Sequence, residues 1–152
     1  MRFMITAAPA PKDENAEQAQ PVPVDEKLFA EYMRYNEEMA KAGVLVVAEG
    51  LNPAGKGARV GIRGGKRTIL DGPFTESKEL LGGFYLIEVK SREEAIEWAL
   101  RCPVGLGSDE ILTIHQMTEA SDIPPELRTL IEQVAPTWAA SWSKGRPTTP
   151  AT

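Results

Sequence analysis

The chain has 152 residues, 42% of them hydrophobic and 26% charged, enough to build one soluble core without disulfides or structural metal. Its 22 acids outweigh 17 Lys and Arg for a net charge of −5, so it lacks the basic field that a nucleic-acid surface needs. The single cysteine allows no internal disulfide and fits a reducing cytoplasm, and no apolar stretch reaches membrane-spanning length.

Residues 2–7 are mostly apolar and predict a first strand. Residues 8–24, rich in Pro, Ala, Gln and acids, show no periodicity and predict a mobile loop. Asp25 can cap the next helix, in which Leu28, Tyr32, Tyr35 and Met39 recur at helical spacing. Gly43 supplies a left-handed stop. "VLVVAEGL" then predicts a buried strand, and residues 59–70 a hairpin with Gly64-Gly65 at its turn. Residues 80–89 predict a long strand whose Gly82-Gly83 allows a bulge or a close approach by another backbone or a ligand. "SREE" is a capping box, Ser91 and Glu94 satisfying each other's backbone, and the helix it opens stops at Pro103. "EILTIHQM" is the last core strand. Pro124-Pro125 open a short helix with Leu127, Leu130, Ile131 and Val134 on one face, and the remainder from Pro136 reads as a polar tail carrying Trp138 and Trp142.

The order is β-α-β-β-α-β with an inserted hairpin, an α+β, ferredoxin-like arrangement in residues 1–120, followed by a C-terminal helix and tail in 121–152. Such a sheet carries helices on one face. A second copy, sheet against sheet, is the economical cover for the other, which predicts a homodimer.

The segment Asp71-Gly72-Pro73-Phe74-Thr75-Glu76-Ser77-Lys78-Glu79 has two readings. As scaffold, Asp71 opens a turn, Pro73 fixes φ and Phe74 plugs the core. As a site, Asp71, Glu76 and Glu79 rim a cleft, with Lys78 moderating their charge, and neighbouring carboxylates can raise one pKa into the range of a general acid. His115, the only histidine, has no ligand-spaced companions, so no metal site is expected. Strand alternation sets it on the side of the sheet opposite Ile114. Cys102, at a helix C-terminus where the dipole disfavours thiolate, reads as a small buried hydrophobe. The glycine- and lysine-rich residues 55–67 lack the context of a phosphate-binding loop.

"GVLVVAEGL" and "GGKRTILDGPFTESKELLGGFYLIEVKSREEAIEWALRCP", with the final "EI" strand, resemble the DGPF-domain group within the YCII-related family, over roughly residues 2–117. The resemblance implies a dimeric α/β barrel of ferredoxin-like protomers, without a defined reaction or cofactor. Members of the group are often encoded beside extracytoplasmic-function sigma factors, a hint that such a factor is a partner. In the YCII-type branch a His–Asp pair is implied, and the matching places here hold Tyr32 and Cys102. A tyrosine can donate a proton, but a thiol does not replace an orienting carboxylate, so that pair is not carried over. Leu112-Thr113 stand where the group usually shows Arg-Pro. The expectation is a cytoplasmic domain binding a small organic ligand in a cleft. Tyr32, Asp71 and Glu76 are its candidate acid–base residues, and Glu49, Lys78 and His115 its candidate ligand contacts. The alternative is a regulatory or interaction module whose protein partner engages the C-terminal tail.

Overall fold

The computed structural model describes residues 1–9, 26–51, 58–71, 83–103 and 110–143. The expected N-cap Asp25, most of the expected mobile loop, Glu76, Lys78 and Glu79 lie outside the described residues.

Four strands form an antiparallel sheet: β1 (Arg2–Pro9), β2 (Leu45–Gly50), β5 (Gly83–Glu88) and β6 (Glu110–Gln116), in the spatial order β2-β5-β1-β6. Strand β1 runs to Pro9, two residues into the stretch expected to be loop. The hairpin β3 (Ala58–Arg63) and β4 (Lys66–Asp71) forms a separate two-stranded sheet. Gly64 and Gly65 both take positive φ at its turn, 56° and 76°, which matches the right-handed strand twist that side-chain-bearing residues seldom permit there.

Helices α1 (Glu26–Lys41) and α2 (Arg92–Arg101) share one face of the four-stranded sheet. Phe3, Ile5, Ile87 and Val89 meet Tyr35 and Met39 of α1 and Ala95, Trp98 and Ala99 of α2 in one buried cluster. Helix α1 stops at Gly43, whose φ of 71° accommodates the turn into β2. The Ser91 hydroxyl accepts from the N–H of Glu94, and the Glu94 carboxylate reaches back to the N–H of Lys90, one residue before the cap.

The end of α2 follows from Pro103. Proline has no N–H to offer the Ala99 carbonyl, and Cys102 N–H bonds that carbonyl instead at 3.1 Å. The Trp98 carbonyl is taken by the Tyr35 hydroxyl, which donates to it at 2.7 Å. One phenol thereby satisfies an end carbonyl of α2 and ties the two helices together.

Gly83 opens β5 opposite Gly50. A Cβ there would sit 2.7 Å from the Glu49 carbonyl oxygen and 3.3 Å from the Gly50 Cα, both backbone atoms. Of the two readings of the glycine pair, close approach by another backbone is the one seen at Gly83. Gly83→Ala is expected to force β2 and β5 apart and cost about 1–3 kcal/mol, measured by denaturant unfolding. A variant as stable as the parent would contradict this.

Beyond β6, Glu119 anchors the C-terminal segment. Its carboxylate takes the Arg2 guanidinium on both oxygens, at 3.1 and 3.2 Å, and the Arg2 N–H at 3.2 Å. The Arg2 side chain, first by its hydrogen bond, holds the Glu119 carboxyl below the ordinary carboxylate range. A depressed folded-state pKa contributes stability above the unfolded value that is lost as pH falls through the folded one. Glu119→Gln is therefore expected to lose about 0.5–1 kcal/mol at neutral pH, a modest figure because the pair is part-exposed. The difference from the parent should shrink as the solution is acidified below the carboxylate range. A gap that persisted in acid would contradict the assignment. Helix α3 (Pro125–Val134) follows as expected, but α4 (Pro136–Ser143) replaces the start of the expected polar tail.

Candidate functional site

Tyr35, Tyr85 and Trp98 form an aromatic group between helices and sheet. The Tyr35 and Tyr85 rings meet edge to face at 5.6 Å, and Tyr35 lies 6.2 Å from Trp98. The Arg101 guanidinium covers Trp98 at 4.3 Å and pairs with Glu38 of α1. Burial, and then the neighbouring Cys102 and Tyr32, push the Tyr85 phenol well above the ordinary tyrosine range. Burial and Cys102, with Tyr85, do the same to Tyr35. Both phenols therefore stay protonated at neutral pH and act as neutral hydroxyl groups.

Tyr32, Tyr85 and Cys102, distant in sequence, belong to the same packed layer between helices and sheet. Tyr32 packs at the edge of the core cluster, and the Cys102 thiol is buried and free of disulfide. One turn along α1 from Tyr32, Asn36 holds a buried Oδ1 with no hydrogen-bond partner. Residues four apart on a helix are neighbours on its surface, so this open acceptor lies beside Tyr32. The junction of α1, β5 and the end of α2 offers phenolic O–H groups, a thiol and one unmet carbonyl acceptor, with Arg101 and Glu38 paired at its margin. That chemistry suits hydrogen bonding to a small polar molecule more than proton abstraction.

The other sequence-derived candidates lie elsewhere. Glu49 pairs with Phe84 and His115 with Met4, on the face of the sheet turned away from α1 and α2. Both are exposed. They stand on the two edge strands, three strand spacings or about 14 Å apart. Neither meets Tyr32 within one chain. For Glu49 the cause is a register shift between Leu45 and Val47. Leu45 faces the helices, and strict alternation would turn Val47 and Glu49 the same way; the irregularity inserts one residue and turns both to the other face. Asp71 ends β4 opposite Ala58. Its side chain, like Glu76 and Lys78, lies outside the described residues. Tyr85 and Asn36 were not singled out by the sequence reading. In a strand and a helix of this composition each reads as an ordinary packing or surface residue.

An antiparallel sheet with two helices on one face and a phenol–thiol group in the layer between them defines an α+β domain of ferredoxin-like character. Residues 1–118 match the YCII-related domain family, and the chain belongs to it. An uncharacterized protein of Rhizobium meliloti (strain 1021) is 32% identical over 96 residues, covering 63% of this chain and 77% of that protein. Residues 119–152, with α3 and α4, lie beyond the family match. Among the described residues no helix is long and apolar enough to cross a membrane.

Proposed function

We propose that the chain is a homodimeric, cytoplasmic domain of the DGPF group that binds a small organic ligand, without a cofactor, at the junction of α1, β5 and the end of α2. The observation that carries this reading is the gathering of Tyr32, Tyr85 and Cys102 in one packed layer between helices and sheet, with the Asn36 acceptor left open one helical turn from Tyr32. A ligand bearing both an accepting oxygen and a donor, such as a small hydroxy acid or amide, complements that set. Tyr32 acts as the proton donor, with Asp71 and Glu76 as the rim carboxylates of any acid–base step. The dimer forms through the face of the sheet turned away from the helices, where Met4, Val47, Phe84 and Leu86 line up across three strands.

The test is a thermal-shift panel of small hydroxy acids, amides and keto acids on the parent and on Tyr32→Phe. At least one class should raise the melting temperature of the parent, and Tyr32→Phe should weaken its binding about tenfold, the effect of about 1.4 kcal/mol for a lost hydrogen bond to ligand. A panel that stabilises neither protein, or both equally, would refute the assignment.

A further inference from the structure

Phe29, Tyr32, Met33 and Asn36 stand three and four residues apart on α1, so they share one strip of the helix within about 100° of arc. The strip carries two unmet demands side by side. Phe29 is 56% and Met33 44% exposed, two large apolar side chains left in water. The Oδ1 of Asn36, less than one turn on from Met33, is buried with no hydrogen-bond partner. Apolar area gains by leaving water, and a buried acceptor gains by meeting a donor, so one bound molecule with a donor and an apolar part would answer both.

Glu38, which pairs with Arg101 of α2, lies about two and a half turns along the helix from Phe29 and therefore on its opposite side. The strip thus runs along the flank of α1 away from α2, from Asn36 back toward the helix N-terminus. From Asn36 to Phe29 it spans about 10 Å, with Met33 between them. The charged residues next to it around the helix are Glu26 and Glu37, both exposed acids, and Glu37 pairs with Lys41. Arg101, the cation at the margin of the junction, is already held by Glu38.

We infer that the ligand is an uncharged amide carrying an apolar chain, its N–H donating to the Asn36 Oδ1 and its chain lying along Met33 and Phe29. The inference rests on the ligand-binding reading above and narrows it, selecting amides over hydroxy acids. An open carbonyl oxygen takes an N–H and repels a carboxylate, and the acids Glu26 and Glu37 along the border disfavour an anion a second time. The apolar part is a chain that follows the strip, because about 10 Å separates the polar head from Phe29. The thioether of Met33, unbranched and adaptable, suits such a chain at the midpoint.

The test is calorimetric titration of the full chain with the straight-chain primary amides from propanamide to octanamide, and with the carboxylates of the same lengths. Affinity for the amides should rise about twofold to fourfold per methylene, the range for half to full burial of each, and level off once the chain passes Phe29. Each carboxylate should bind about tenfold more weakly than its amide, and Asn36→Leu, shown to be folded by circular dichroism, should weaken every amide by about the same factor. Phe29→Ser combined with Met33→Ser, at two exposed positions, should flatten the series. Amides that bind alike at every length, or carboxylates that bind as well as amides, would overturn the inference and leave the site itself standing. If neither series binds, the inference falls; if the wider panel of hydroxy and keto acids also stabilises nothing, the site reading falls with it. A double serine variant that keeps the amide series but loses dimer mass in light scattering would make the strip a protein contact and overturn the inference.

Discussion

Phe3→Ala should destabilise the chain by about 3–5 kcal/mol, the lost transfer energy of the ring plus the cavity it leaves. Phe3 is 2% exposed and sits on β1, the strand that pairs with both β5 and β6. Its position across from Ile87 and Gln116 puts the ring under both helices' buried faces, where Met39, Ala95 and Trp98 belong to the same cluster. Small domains carry only about 5–15 kcal/mol in total, so a loss of this size consumes much of the margin. Guanidinium unfolding should show a midpoint shifted far down with an unchanged slope. A loss below about 1 kcal/mol would mean that the core does not close around this residue.

Ile111→Glu should have the second large effect, and it should fall on assembly and leave the fold of the single chain intact. Ile111 pairs with Ala8, in the β6 row that also holds Thr113 and His115, and is half exposed in one chain. If the sheet faces of two copies meet, the new carboxylate is buried without a partner there. That costs about 3–5 kcal/mol, which weakens dimerisation roughly a hundredfold to several thousandfold. Light scattering at low micromolar concentration should give twice the 16.6 kDa chain mass for the parent and the single-chain mass for the variant. A dimer that survives Ile111→Glu unchanged would remove this face from the interface.

Much of the fold could be read from punctuation in the sequence. Gly43, Gly64-Gly65, the Ser91 cap and Pro103 each impose a local backbone demand that few other residues meet, and each marks a boundary where it was expected. The helix α4 was read as polar tail, although Pro136 at its first turn followed by Ala139 and Ala140 is a helix signal. "VLVVAEGL" was read as a buried strand, yet β2 is an edge strand with half-buried residues at Leu45 to Ala48. An apolar run carries no parity, so it does not reveal which side each residue takes.

The candidate site was less legible for the same reason. Tyr32 was placed on its helix by periodicity, but its neighbours Tyr85 and Cys102 come from elements more than fifty residues away in sequence. Glu49 joins or leaves the helix-side layer according to one inserted residue between Leu45 and Val47, and nothing in "VLVVAEGL" marks where that residue falls. His115 follows simple alternation and lies opposite Ile114, as its parity requires.

The two faces of the sheet therefore offer two different places for a ligand, and one measurement separates them. Backbone amide resonances of the isotopically labelled parent can be followed while the best stabilising compound from the hydroxy-acid and amide panel is added. The account predicts that the shifting resonances centre on Tyr32, Asn36, Tyr85 and Cys102, and that Tyr32→Phe abolishes the saturable shifts at the same ligand concentrations. Shifts centred on Glu49 and His115, with the helix-side residues unmoved, would contradict it.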